Sequence, residues 1–546
     1  MVGKGKAPRR LLAVFGLGFL GGLVALGFNF LFRLGGIAAF PPESILGAFL
    51  RVIPASIEEP MVQRFGDLAG QIGLVSVTVV VAMAYGAILL AYDAYGAKRA
   101  AGLGLPPLEG LLVLGVVPWI LFGLVVFPIG GDAPFGTGSP YASSSQIWAF
   151  PFTLLLVQGV YAWVLSTRYR PFQASPATVP LRARAASAGR REFIEKGTIG
   201  VLAVIGAAIG LTGIGQLFPS QTAAGGGGQA IDLAAAPAIF SDPRLASLVD
   251  SEVTPNSDFY RVAIDIIDPT VDASAWSLAL DGLINAPKSY SLTDIMSFPE
   301  VSQYSTFECV SNKVNGNLIG NAKWGGVKIS DVLANAGGVQ QGANYLVFYS
   351  VDGYSVGIPI AKAMMPDSLL AYNMNDQQLP VEHGYPLRAV IPGLYGMMSA
   401  KWVKRISLVS SVYDGYWQTR GWTNNASIYT ETFIVLPQPG SATVSLSANG
   451  GSIIVAGYAF AGDRGVSKVE VSFDNGATWQ LAELKQPLSS LTWALWAYAW
   501  KPPAPGEYQV IARATDGSGS VQTSAVADNF PNGATGYVTS TLMVTD

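Results

Sequence analysis

Cysteine and histidine are almost missing from this chain. Its 546 residues hold one cysteine, Cys309, and one histidine, His383. No intrachain disulfide, paired-cysteine zinc site or cysteine-held iron–sulfur cluster can form from one thiol. A membrane haem held by two histidines of the chain's own helices is excluded on the same ground. Charge is scarce too: 13% of residues are Asp, Glu, Lys or Arg, about half the usage of ordinary soluble proteins. The net charge of −3 gives no sign of a nucleic-acid partner. Half of the residues are hydrophobic, which excludes a disordered chain. The length calls for several domains.

What is present is divided unevenly. Residues 1–217 carry a balance of +7 and residues 218–546 a balance of −10. Long apolar runs fall only in the first part, at 11–32, 71–92, 110–129, 147–166 and 198–218. Each has close to the roughly 20 residues that cross a bilayer as a helix. Buried soluble helices would keep a polar face, which these runs lack. With the N-terminus in the cytoplasm, inside segments hold 13 Lys and Arg, and outside segments only Arg33, Arg51 and Arg64. The expectation is a five-helix transmembrane region over 1–218 in the cell membrane, with the lipid bilayer as a partner and the rest of the chain extracytoplasmic. The first apolar run is longer than a signal-peptide core and no small-residue cleavage site follows it, so it reads as an anchor. Arg190-Arg191-Glu192-Phe193-Ile194-Glu195-Lys196, just before the fifth run, is either an internal twin-arginine export signal or plain inside-facing charge.

Four glycines at 225–228 mark a tether within a linker at 219–241. From 242 to 436 the texture is α+β, with short runs such as Tyr345-Leu346-Val347-Phe348-Tyr349 between Gly and Pro turns. Beyond Pro437 come alternating strands at short spacing, with Asp474-Asn475-Gly476 as a hairpin turn. Residues 437–546 are therefore expected to form an immunoglobulin-like β-sandwich.

By itself a lone cysteine is most simply a small buried hydrophobe. Its context here is Phe307-Glu308-Cys309-Val310-Ser311-Asn312-Lys313. Asn321-Ala322-Lys323-Trp324-Gly325-Gly326-Val327 follows. Then come Glu382-His383-Gly384-Tyr385-Pro386-Leu387-Arg388 and Ser399-Ala400-Lys401-Trp402. In this order and spacing the segments resemble the sulfite oxidase family of molybdopterin-dependent oxidoreductases, from about residue 254 to the C-terminus. The chemistry agrees: a soft thiolate suits molybdenum, and cationic side chains in Gly/Pro loops suit a pterin phosphate.

The resemblance implies one molybdenum–molybdopterin per chain, with Cys309 as the metal ligand. Asp258, Phe259, Tyr260, Asp352, His383, Arg388, Ser399, Ala400 and Lys401 are then the cofactor-binding positions. Tyr354, Asn312 and Lys313 fall beside the substrate, with Lys313 standing where the family has Arg. It also implies oxygen-atom transfer at a small oxyanion, an external electron carrier (cytochrome, quinone or partner subunit), and a homodimer built on the sandwich. One departure matters. Where animal and plant sulfite oxidases carry Arg-Asn-His, this chain has Val262, Ala263 and Ile264. The stretch 258–269 is closer to the bacterial branch that includes methionine sulfoxide reductase catalytic subunits. Reduction of S- or N-oxides is the alternative activity. A membrane-tethered interaction protein without enzymic activity is the alternative of another class.

Overall fold

Pro8 is the last proline before residue 34, and it sits in the first turn of a helix, where its missing N–H breaks no intrahelical bond. The helix runs over Lys6–Leu34, and a second covers Asp67–Arg99. The two meet at glycines. A Cβ on Gly18 would lie 2.9 Å from the Gly86 Cα, and one on Gly22 would lie 2.7 Å from the Tyr85 Cβ. Small residues allow the two backbones this close approach. In this computed structural model the described residues are 6–34, 40–52, 67–99, 112–126, 151, 153–159, 161–162, 236–264, 268–438, 442–447 and 450–546. They fall into an N-terminal unit and a second unit that holds residues 222–546.

The N-terminal unit departs from the five expected spans. Among the described residues two helical stretches, Leu11–Leu31 and Ile72–Tyr92, are long and apolar enough to cross a membrane. They match the first two runs. The third run is described at 112–126, where it forms a broken helix. A π-turn at Leu112–Val116, an α-turn at Val117–Leu121 and a second π-turn at Phe122–Val126 succeed one another, with Pro118 at the break. Proline removes an amide from the ladder, and π-turns absorb the mismatch. The apolar helical part left, Leu114–Val125, is shorter than a span. The fourth run is described only at 151, 153–159 and 161–162, and is helical there. The fifth run, the Arg190-Arg191 segment and the glycines at 225–228 lie outside the described residues.

The second unit begins its core with two sheets. The first has the order Lys288–Ser291, Ser277–Gly282, Val403–Val409, Tyr345–Ser350, Ser355–Pro359, with one parallel pair, Ser277–Gly282 on Val403–Val409. The second has the order Val301–Glu308, Ile319–Lys328, Leu369–Met374, Gln377–Gln378, and Arg388–Val390 also pairs with Leu369–Met374. The short helix Ile329–Asn335 buries Ile329, Val332 and Leu333 against them. This is the expected α+β domain.

Two further sheets follow. One orders Glu431–Leu436, Ile453–Phe460, Ala494–Trp500, Glu483–Leu484; the other orders Ala442–Ser445, Val538–Thr545, Gly506–Asp516, Val466–Ser472, Gln480–Leu481. Ile434, Val455 and Trp496 from the one pack with Val469, Val510 and Ala512 from the other. Phe433, Ala456 and Trp493 instead join the core of the α+β domain. The sheet led by Glu431–Leu436 is thus covered on both faces, which explains the almost unbroken apolar run Ile453–Phe460. Glu431–Leu436 pairs with Ile453–Phe460, so the C-terminal sheets start at Glu431, a few residues before the expected border at 437. The change of texture after Pro437 marks the end of their first strand.

Candidate cofactor and active site

Cys309 ends the strand Val301–Glu308, and the next residues turn sharply. The Cys309 amide donates to Leu318 O at 2.9 Å, and the Asn312 amide donates to Cys309 O at 2.9 Å. The thiol is buried, 7% exposed, with its sulfur 3.0 Å from Ser311 Oγ. Asn312 is buried, and both ends of its amide are used inside the turn: Nδ2 donates to Glu308 Oε1 at 2.9 Å and Oδ1 accepts from the Leu318 amide at 3.0 Å. Lys313 is exposed on the same turn. The turn therefore brings Cys309 and Asn312 into the interior and leaves Lys313 in solvent.

Two tyrosines lie in the electrostatic surroundings of the thiol. Tyr354 sits at the tip of the hairpin between Tyr345–Ser350 and Ser355–Pro359, and its O–H donates to Met397 O. Burial, then the Asp352 and Cys309 charges, push it well above the usual phenol range. Tyr260 is raised by burial and by Cys309 as well. Both remain protonated donors. Burial pushes the Asp352 carboxyl up to about 6, against a hydrogen bond from the Tyr354 amide and the charge of Lys401.

The cations come from two loops that dock on each other. Gly384 has φ +117, and a Cβ there would lie 3.0 Å from Arg388 Cβ and 3.1 Å from Lys401 Cα. Only glycine fits both that backbone and that approach. Arg388 is 5% exposed and lies beside the stacked rings of Phe307 and Trp324, 4.9 and 4.7 Å from their centroids. It donates to His383 O at 3.0 Å and Ser399 O at 3.4 Å, and its Nε has no partner. Burial lowers its pKa to about 10. The Lys401 ammonium donates to Glu382 O at 3.0 Å, and burial holds its pKa down to about 8. The Ser399 hydroxyl accepts from the Ile391 amide at 3.0 Å, and Ala400 O accepts from the Ala389 amide at 2.8 Å.

His383 behaves differently from a phosphate-binding cation. Burial, followed by the nearby Arg388, Lys401 and Arg261 charges, lowers its pKa to about 3 against one hydrogen bond. That bond joins Nε2 to Asn256 O at 2.7 Å. A carbonyl only accepts, so Nε2 carries the proton and the ring is neutral. Phe259 is buried among Phe307, Trp324 and the His383 ring. Asp258 is exposed beside the Ser257 hydroxyl.

Three charged residues of this region were not among those singled out from the sequence. Arg261 pairs with Asp268, and both act on Lys401. The only sequence signal was a cation inside 258–269. Arg420, on the turn Gln418–Arg420, lies 3.5 Å from the ring centroid of Tyr416, which in turn packs on Tyr354. Its Nε is buried without a partner.

Two family models match the chain: the oxidoreductase molybdopterin binding domain over residues 265–417 and the Mo-co oxidoreductase dimerisation domain over residues 421–531. Sulfite oxidase of Gallus gallus is 31% identical over 335 residues, which are 53% of this chain and 72% of that protein. Sulfite oxidase of Arabidopsis thaliana is 30% identical over 341 residues, 52% of this chain and 86% of that one. The chain belongs to the sulfite oxidase family. It is thereby a member of a family of molybdopterin oxidoreductases, which sets aside the reading as a tethered protein without enzymic activity. Its match to mitochondrial sulfite oxidase of Rattus norvegicus, 32% identical, spans 60% of that protein's length.

The residues present suit the family's cofactor. Among the described residues Arg388 is a buried guanidinium with an unused Nε and no carboxylate hydrogen bond, and the Lys401 ammonium donates to a carbonyl and lies 4.2 Å from the Trp402 ring centroid. Such charges are costly unless an anion neutralises them. A pterin phosphate is an anion of that kind.

Proposed function

We propose that this chain is a molybdenum oxidoreductase that carries out two-electron oxygen-atom transfer on a small oxyanion, sulfite-oxidase-like, with Cys309 as the protein ligand to the metal. One observation supports this most: a buried thiol and a buried, carboxylate-free Arg388 share one water-poor region with the donors Tyr260 and Tyr354. When bound, molybdopterin supplies the oxygen-atom and two-electron chemistry. The chain supplies binding, orientation and proton placement. Arg388 and Lys401 hold the phosphate, helped by Arg261 and by the backbone at Ser399 and Ala400. Neutral His383 pins the 254–260 segment through Asn256, and Asp352 fixes the hairpin tip that carries Tyr354. Tyr354 keeps its proton and offers it to a substrate oxygen by exchanging its bond to Met397 O. Arg420, reached from Tyr354 through Tyr416, gives that oxyanion its counter-charge.

Metal analysis tests the reading. Protein grown with molybdate is expected to carry one molybdenum per chain, and Cys309→Ala is expected to lose activity. A wild-type protein without molybdenum would end it.

Reduction of S- or N-oxides is the second reading. It is favoured by Val262-Ala263-Ile264 in place of Arg-Asn-His, and by Asp268 taking up the Arg261 guanidinium. Both features weaken the hold on a doubly charged anion. Turnover of sulfite with an artificial acceptor, set against turnover of sulfoxides with an artificial donor, separates the two.

The proposed setting is the cell membrane. The N-terminal helices anchor the enzyme with its N-terminus in the cytoplasm, and the catalytic unit stands outside. An external electron carrier completes the cycle, the immunoglobulin-like sandwich pairs two copies, and Arg190-Arg191 serves export of the folded, loaded domain.

A further inference from the structure

The turn that carries Cys309 is held from the other side of a domain boundary. Asn529, fully buried in the C-terminal domain, donates its side-chain amide to Ser311 O at 2.6 Å. The amide of Ile434, on the strand Glu431–Leu436, donates to Asn315 Oδ1 at 2.8 Å. Asn315 has φ +60, a left-handed backbone that a non-glycine residue keeps only when its surroundings impose it. Glu431, 4% exposed on the same strand, interacts with the carboxyl of Glu308, the residue before the cysteine. Glu308 in turn accepts from Asn312 inside the turn. The strand leading to the cysteine is braced as well: the Trp493 amide donates to Thr306 Oγ1 at 3.0 Å, and the Ser489 hydroxyl donates to Tyr304 O at 2.8 Å.

The turn's own hydrogen bonds, from Cys309, Asn312, Gly316 and Leu318, set its shape. They continue the ladder between Val301–Glu308 and Ile319–Lys328, and the C-terminal domain adds contacts of its own. Ser311, Asn315 and Glu308 each also meet a residue of the C-terminal domain, at 529, 434 and 431. Ser311 is also the residue whose hydroxyl approaches the sulfur. A shift of its carbonyl therefore moves a direct neighbour of the thiol.

We propose that the C-terminal domain sets the position of the Cys309 thiolate, with Asn529 and Glu431 as positioning residues. The inference rests on the assignment of Cys309 as metal ligand. Partners of this kind, one step removed from a metal, are worth about ten- to a hundredfold in affinity or activity.

The test uses full-length protein made with molybdate, in wild type, Asn529→Ala, Asn529→Asp and Glu431→Gln. Glu470→Gln, in the same domain but on the outer sheet, is the control. Three quantities are read: molybdenum per chain, the thiolate-to-molybdenum charge-transfer absorption, and kcat against KM. Asn529→Ala is expected to keep its molybdenum, shift the absorption band and lower kcat about tenfold with KM unchanged. Glu431→Gln, which keeps a donor, is expected to show a smaller shift, and Glu470→Gln none. If Asn529→Ala does not fold, Asn529→Asp is read instead, since it keeps the shape and removes the donor. Molybdenum-loaded variants with the wild-type band and wild-type kcat overturn the positioning role alone. Absence of molybdenum from the wild type overturns the ligand assignment beneath it.

Discussion

Two buried cations of the second unit have opposite surroundings. Lys485 is 3% exposed, and its ammonium reaches both carboxylate oxygens of Glu252, at 3.0 and 2.8 Å. Arg388 is 5% exposed and meets two carbonyls, two aromatic rings and no carboxylate. Glu252 also uses its backbone O to receive Trp493 and Asn321, so the Lys485 pair joins the start of the α+β domain to the C-terminal sheets. One charge is neutralised by the chain and the other is left over. Burying an ion is costly in both places. A fold that keeps a charge it does not neutralise is built around something that will.

The largest expected effect follows from breaking the compensated pair. Lys485→Met leaves Glu252 buried alone, and should cost about 3–5 kcal/mol in denaturant unfolding. Arg388→Met should behave otherwise. In protein made without molybdopterin it should change stability by less than about 1 kcal/mol, because the lost hydrogen bonds are offset by removal of an unneutralised charge. In protein made with molybdopterin it should lower bound molybdenum at least about tenfold. If Arg388→Met costs as much as Lys485→Met without cofactor, the guanidinium is structural and the contrast fails.

These assignments were legible in the sequence to unequal degrees. Cys309, Arg388 and Lys401 were picked out by the family resemblance of their segments, and their proposed roles as soft ligand and phosphate-binding cations fit their residue types. His383 could be picked out from its segment but not in its charge, which is set first by burial and then by three cations brought close by folding. Asn529 left no local trace, since its partner lies 218 residues away and an asparagine in a loop has no pattern. The first two apolar runs are uninterrupted and became long helices. In the third, Pro118 was visible, but run length alone did not weigh its missing amide. The strand Ile453–Phe460 was legible from its apolar run, but the covering of both its faces was not.

The same comparison has a pH signature. Burial sets the Lys401 pKa at about 8 in the folded chain, below the roughly 10.4 of an unfolded lysine. Between these values the unfolded chain binds the extra proton, so stability rises with pH. Protein without molybdopterin should therefore gain stability from about pH 8 to 10, by at most about 1.4 kcal/mol per pH unit. Lys401→Met should flatten this rise. Bound phosphate beside the ammonium should flatten it too, by returning the pKa upward. An unchanged slope in Lys401→Met would assign the rise to another group.

The smallest effect belongs to an ion pair of similar chemistry placed in water. Arg405 makes two hydrogen bonds to Asp281, at 2.7 and 3.0 Å, with the side chains 46% and 37% exposed. Its geometry is as good as that of Lys485 with Glu252, and the Arg405 guanidinium holds the Asp281 carboxyl below the usual range. Solvent screens the attraction and hydrates either partner when the other is removed, so Asp281→Asn should cost less than about 1 kcal/mol. The difference between this variant and Lys485→Met measures desolvation rather than pairing. Equal losses in urea unfolding would mean that burial carries no special cost here, and an unneutralised Arg388 would then say nothing about a missing anion.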